Sequence, residues 1–432
     1  MAAHERPRAR APENGVINRR ELIRALLRRN VADWVVIERV QELAVIDEAT
    51  RARRRETRTR ITTILHHDSP RGRGSATISV VAGDGSANTL VEQAVALALV
   101  ATGQAWKSVP PAAPAQVEVI DPKLAKDLDE AAAGVLRAVH RPNVQATVSV
   151  MREQIAVQAK SGFHDDWPAS EFRVDALVST TDRSLEVVRQ HRRADALDLD
   201  RAIAEATTDL ASYANAGAPT GGTCNLALTT DALLHGHGLG VWSVFATQAD
   251  SELERQGLTR YRIGAPIAPG SGDLHEPLTI SSDGSLDFAL RSAPIGEDGD
   301  AVRRFALVDR GIAVGVGLDM REAALRKRDP NGGVRNLVVG VGTWDGKPVG
   351  PRTVEVRRLR ALSIDPFTGD ASLELALAFD HRDGQSVPFT GGTVRLDLVS
   401  TLARARRSAA DVKRGAYVGP AAVMIEGVEL IA

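Results

Sequence analysis

One order of elements occurs twice in the first half of this sequence, and it restricts the fold more than any single motif does. A helix signal opens at Asn18, a favoured N-cap residue, and continues through RRELIRALLRR with Leu22, Ile23, Leu26 and Leu27 at helical spacing. Strand-like runs follow at 34–47, 57–65 and 75–82, and TLVEQAVALALVATG predicts a second helix over 89–103. The proline-rich segment SVPPAAPA (108–115) interrupts this order, and the order then restarts. A helix is expected over 122–139, then strands in VQATVSVMREQIAVQA, EFRVDALVST and SLEVVRQHRR. A closing helix is expected over 198–216, with Asp198 or Asp200 near its start. Two α-β-β-β-α units of this kind predict a layered α+β domain over 17–217, behind a disordered tail at 1–16 that is rich in Arg, Pro and Ala.

The texture changes after AGAPTGGTC. The stretch TDALLHGHGLGVWSVFATQADSELERQ reads as helical, and the rest is rich in short strands. VEVRRLRALSIDPFTGDASLELALAF is a hairpin, because alternating apolar residues flank the turn DPFTGD. Many antiparallel runs with turn signals predict a β-rich second domain over 218–432, either a rolled antiparallel sheet or a partly closed barrel.

Several function classes are disfavoured by composition. The 54 basic and 55 acidic residues leave a formal net charge of -1, so no overall field would hold the chain on nucleic acid or an anionic membrane. No apolar run approaches the roughly 20 residues that span a bilayer. The N-terminus lacks the apolar core of a signal peptide, and the cytoplasm is the expected location. The single cysteine, Cys224, excludes an internal disulfide and a Cys-rich zinc site. In the loop TGGTC it reads as a buried, idle thiol. His66, His67 and Asp68 read as a strand ending at a turn. GVGLDMRE and GVGTWDGK lack the strand-GxGxxG-helix setting of a dinucleotide site. The basic run RARRRETRTR (51–60) reads as a solvated face.

The segment from LTRYRIGAPIAPG to GVGLDMREAALRK resembles the core of the TldD/TldE family, also called PmbA or modulator of DNA gyrase. Asp283, Glu297, Asp298, Gly299, Arg303, Arg304, Val308, Gly311 and Ala323 carry the match. GQSVPFTGGTVRLDLVS (384–400) resembles the family's strand-turn-strand near the C-terminus, and GAYVGPAAVMIEGVELIA closes the chain in the family's manner. The resemblance implies a two-domain α+β protein that pairs into dimers. In the active TldD type it implies an HExxxH motif on a helix and a cysteine before the GQSVP element, which together hold zinc. The TldD–TldE pair degrades or trims peptides in the cytoplasm, and TldE lacks the zinc ligands.

Set against that pattern, DALLHGHGLGVW (231–242) keeps His235 at the first histidine. Gly236 stands in place of the catalytic glutamate and Gly240 in place of the second histidine. Asp380, with His381 beside it, stands near the family's cysteine position. Zinc proteolysis needs about three protein ligands and a carboxylate to take a proton from the bound water. Glycine supplies neither. The resemblance therefore implies a non-catalytic TldE-like subunit with no cofactor of its own, partnered by a TldD-like protease that carries the zinc, or else a homodimer. An extended peptide would be the substrate of the pair. A second reading is a metallopeptidase with a rebuilt site from His235, His237 and His381. On an unbroken helix His235 and His237 would point about 200° apart, but Gly236, Gly238 and Gly240 could break that helix. A third reading is a homodimeric peptide-binding scaffold.

Overall fold

In the computed structural model, residues 16–29, 31–108, 113–236 and 238–432 are described; the 1–16 tail lies, but for Val16, outside them. Strands of four or more residues are numbered in chain order. Asn18 caps α1 (Arg19–Arg28), its side chain accepting the Glu21 N–H at 2.9 Å. Strands β1 (Asp33–Asp47), β2 (Ala52–Ser69) and β3 (Gly72–Val81) lead to α2 (Ala87–Val100), which Ser86 caps. The second passage has α3 (Leu128–Val139), β4 (Val144–Ala159), β5 (His164–Ser179), β6 (Ser184–His191) and α4 (Leu199–Tyr213). The twofold α-β-β-β-α order is thus present, and the six strands are ordered β3-β2-β1-β4-β5-β6. The third helix starts later than its expected first residue, 122. Asp121 turns the chain by accepting the Lys123 N–H, and Asp127 supplies the cap through the Asp129 N–H.

The chain separates into two compact units, residues 1–42, 56–111 and 153–167 in one and the remainder in the other. In the first, α1 and α2 bury Leu22, Leu26, Val91, Ala94 and Ala98 with Trp34, Val36, Ile61 and Leu65. The second holds two cores. One lies between α3, α4 and the strand stretches that bear Ala146, Val148, Val150, Phe172, Val174 and Val178. The other fills the β-rich half.

That half contains a five-stranded barrel; of the rolled antiparallel sheet and the partly closed barrel expected, the barrel is present and its ring is complete. Strand β7 (Gly222–Leu228) runs parallel to β11 (Arg352–Ile364), which forms the expected hairpin with β12 (Asp370–Arg382). Asp365 accepts the N–H groups of Phe367 and Thr368 in the hairpin turn. Then β12 pairs β14 (Thr393–Asp397), β14 pairs β17 (Val423–Ile431), and β17 returns to β7, closing the ring. Strand β13 (Gln385–Phe389) extends β12 outside the ring. A second sheet contains β8 (Ile280–Asp283), β9 (Arg304–Asp309), β10 (Asn336–Val339), β15 (Asp411–Arg414) and β16 (Tyr417–Pro420). Trp242, Phe245 and Tyr417 are among the largest fully buried side chains of this core, and the Trp242 and Tyr417 rings stack 6.0 Å apart. Burying such aromatics anchors the segment that follows β7, where the family-like motif lies.

Candidate functional site

The expected helix through 230–256 is broken into pieces, and the reason is glycine. Helix α5 covers only Thr230–Leu233. Gly236, Gly238 and Gly240 then take φ values of +77°, +92° and +53°, left-handed conformations that no α-helix contains. A single 3-10 turn (Gly240–Trp242) leads into α6 (Ser243–Gln248), and Asp250 caps a new start at α7 (Ser251–Gln256). Gly240 is enclosed: a Cβ there would overlap the Leu233 carbonyl oxygen and come within 2.6 Å of Leu234 Cα. Gly236 opens onto free space, with nothing within 4 Å of an added Cβ. This backbone therefore admits no side chain at 240 without moving the end of α5. His237 lies outside the described residues.

The other motif positions are occupied by ion pairs. Asp380 receives Arg352 Nη2 at 2.9 Å and Arg382 Nη2 at 2.8 Å, and both arginines also bond it through Nε. Burial pushes its carboxyl up, but the hydrogen bonds and charges of Arg382 and Arg352 outweigh this and hold it below the usual range. His381, opposite Thr353 on the hairpin, places Nε2 3.2 Å from Glu355 Oε2. Cys224 is buried on β7 with its thiol pushed up to about 11 by burial. His66 Nδ1 meets Ser75 Oγ at 2.8 Å, and Asp68 is bound by Arg73.

Sequence reasoning missed the strongest electrostatic feature, which surrounds His235. Asp231, in the first turn of α5, accepts hydrogen bonds from Arg358 and Arg414, and Arg189 Nη2 lies 3.4 Å away. Arg358 also donates through Nε to Asp209 at 2.7 Å, and Arg357 reaches Asp209 and Glu355. Consecutive strand residues normally face opposite sides. Here the register slips between Val356 and Arg358, so Arg357 is the extra residue of a bulge, and both guanidiniums reach Asp209. The cluster borders a cavity of about 320 Å³ lined by Arg189, Arg358, Arg360, Arg414, Asp231, Glu186, His235 and Gly236, among others. Burial would raise the Asp231 carboxyl, yet Arg189, Arg358 and Arg414 drive it far below the usual range. Burial is also the largest influence on Arg189, lowering it to about 10, and Arg414 and Arg358 add repulsion.

Among the described residues of the motif, Gly236 and Gly240 offer no side-chain ligand atom, and Asp380 is held by the two guanidiniums of Arg352 and Arg382. Among the described residues no group of three or more His, Cys, Asp or Glu side chains is gathered as around a metal.

Comparison with known proteins finds a similarity in this half of the chain. Residues 240–432 match the family model described as the PmbA/TldA metallopeptidase C-terminal domain. Over those residues the chain is similar to that domain. Around that domain the whole fold is similar to solved structures. One, from Bacteroides thetaiotaomicron and described as a modulator of DNA gyrase, has a TM-score of 0.75 at 13% identity, covering 95% of this chain and 97% of that one. TldE from Thermococcus kodakarensis has a TM-score of 0.69 at 15% identity, covering 95% and 99%. A protein from Thermotoga maritima, likewise described as a modulator of DNA gyrase, has 0.74 at 12% identity, covering 95% and 98%. No curated protein matches the sequence. The matched region begins at Gly240, so it includes β11 and β12 with Arg352, Arg382 and Asp380, while His235 and Asp231 lie just before it.

Proposed function

We propose that this chain is a non-catalytic, TldE-like subunit of a cytoplasmic peptide-processing complex, partnered by a TldD-like subunit that carries the zinc. The PmbA/TldD domain supports a peptidase-family role. The observation that carries the non-catalytic reading is Gly240. Its left-handed conformation and its contact with the Leu233 carbonyl leave no room for the imidazole that a zinc site would need there. Gly236 adds to it, because no carboxylate at that position can take a proton from water. Among the described residues no helix is long and apolar enough to cross a membrane. An extended peptide bound by strand addition would give sequence-tolerant affinity through backbone hydrogen bonds.

The test is co-expression with a relative that carries an intact HExxxH motif. The reading predicts a stable complex in which peptide cleavage depends on that relative's histidines. A chain that never associates with such a relative, and is instead a lone homodimer, overturns it in favour of a scaffold protein.

A further inference from the structure

The ion pairs around Asp231 leave positive charge in excess, and that excess faces a cavity. Four arginines line it, against the two carboxylates of Asp231 and Glu186. Asp231 is already shared by three guanidiniums, and Asp209, which compensates Arg358 from behind, is shared with Arg357. Arg189 is 8% exposed and Arg358 11%, so water screens little of this charge. At the exposed edge stands Arg360. Among the described residues its guanidinium has no hydrogen-bond or ion-pair partner. Arg358 and Arg360 lie two apart on β11 and border the same cavity. A volume of about 320 Å³ falls within the range of small-ligand sites.

A buried cluster of this sign is costly unless an anion completes it. Planar guanidiniums pair best with an oxyanion, which can accept two parallel N–H bonds. Cationic ligands, metal ions included, are repelled by this field. We propose that the cavity is a carboxylate-binding pocket, with Arg360 as the free donor that captures the incoming group and Arg189, Arg358 and Arg414 as the field that holds it. The carboxylate would be the C-terminal carboxylate of a bound peptide. Anion capture stands on the pocket itself, while the choice of a peptide as carrier rests on the peptide-processing reading above.

The experiment is calorimetric titration of the full chain with an N-acetylated hexapeptide ending in a free carboxylate, with the same peptide as its C-terminal amide, and with inorganic phosphate. Charge-assisted hydrogen bonds predict that the acid binds at least about tenfold more tightly than the amide. Arg360→Ala should remove most of that difference while leaving the thermal unfolding temperature unchanged, since its side chain holds no partner among the described residues. Glu186→Gln should strengthen binding of the acid, an effect of opposite sign that no loss of folding can imitate. Equal affinity for acid and amide, or an unaltered Arg360→Ala variant, overturns the proposal. Phosphate bound in preference to the acid overturns the carboxylate assignment. Association with an HExxxH-bearing relative is measured separately, so failure here is distinguishable from failure of the subunit reading.

Discussion

Replacing Gly236 and Gly240 with alanine, one at a time, separates backbone conformation from space. Both residues have positive φ, +77° and +53°, which costs an L-residue about 1–2 kcal/mol. At 236 an added methyl meets nothing within 4 Å, so that conformational cost is the whole effect. At 240 the methyl overlaps the Leu233 carbonyl oxygen and lies 2.6 Å from Leu234 Cα. Both are backbone atoms and cannot swing aside as a flexible side chain would. Overpacking a buried position adds about 1–3 kcal/mol, so Gly240→Ala should lose about 2–5 kcal/mol in all. Urea unfolding followed by tryptophan fluorescence measures both, with Trp242 close by in the core. The midpoint should fall much further for Gly240→Ala than for Gly236→Ala. Equal midpoints would refute the claim that position 240 is closed to side chains. Gly236→Glu combined with Gly240→His should likewise fail to restore a metal site, because the second histidine disrupts α5 before it can coordinate anything.

Other outcomes follow from the buried charges. Asp231→Asn strands Arg189, Arg358 and Arg414 without their shared carboxylate and should cost about 3–5 kcal/mol; a loss below about 1 kcal/mol in urea unfolding would contradict the cluster's role. Cys224, with its thiol pushed up to about 11, should resist iodoacetamide at neutral pH until the protein is unfolded, and rapid native-state labelling would contradict its burial. Burial pushes the Asp300 carboxyl up to about 6, against about 3.9 for a free one. The folded state then binds this proton more tightly than the unfolded chain. Its stability contribution is greatest below about pH 4 and declines as pH rises to about 6, by on the order of 3 kcal/mol. Asp300→Asn should flatten the stability profile in that window; an unchanged slope would refute the assignment.

How much could be read from the sequence depends on whether the cause was local. Asn18 caps α1, and Asp365 organises the hairpin turn, through bonds to residues at most three positions away. Such contacts leave a mark in the sequence. Strand β2 extends to Ala52, beyond the apolar run that announced it, because its exposed N-terminal end is held by backbone pairing rather than by side-chain burial. The break in the 230–256 helix was written in three alternate glycines, whose low helix propensity prevailed over the apolar pattern around them. The arginine cluster was not legible. Arg189, Asp209, Asp231, Arg358 and Arg414 come from separate elements and share no spacing. One clue existed: in VEVRRLRALSI the apolar phase shifts at Arg357–Arg358, the signature of a bulge, and it is the bulge that brings both guanidiniums to Asp209.

Metal content and peptide cleavage, measured together on the purified chain alone, probe the subunit reading most directly. The account predicts well under one zinc per polypeptide by elemental analysis and no hydrolysis of unstructured peptides, with cleavage appearing only when an HExxxH-bearing partner is added. One zinc per chain, accompanied by cleavage that His235→Ala abolishes, would contradict it.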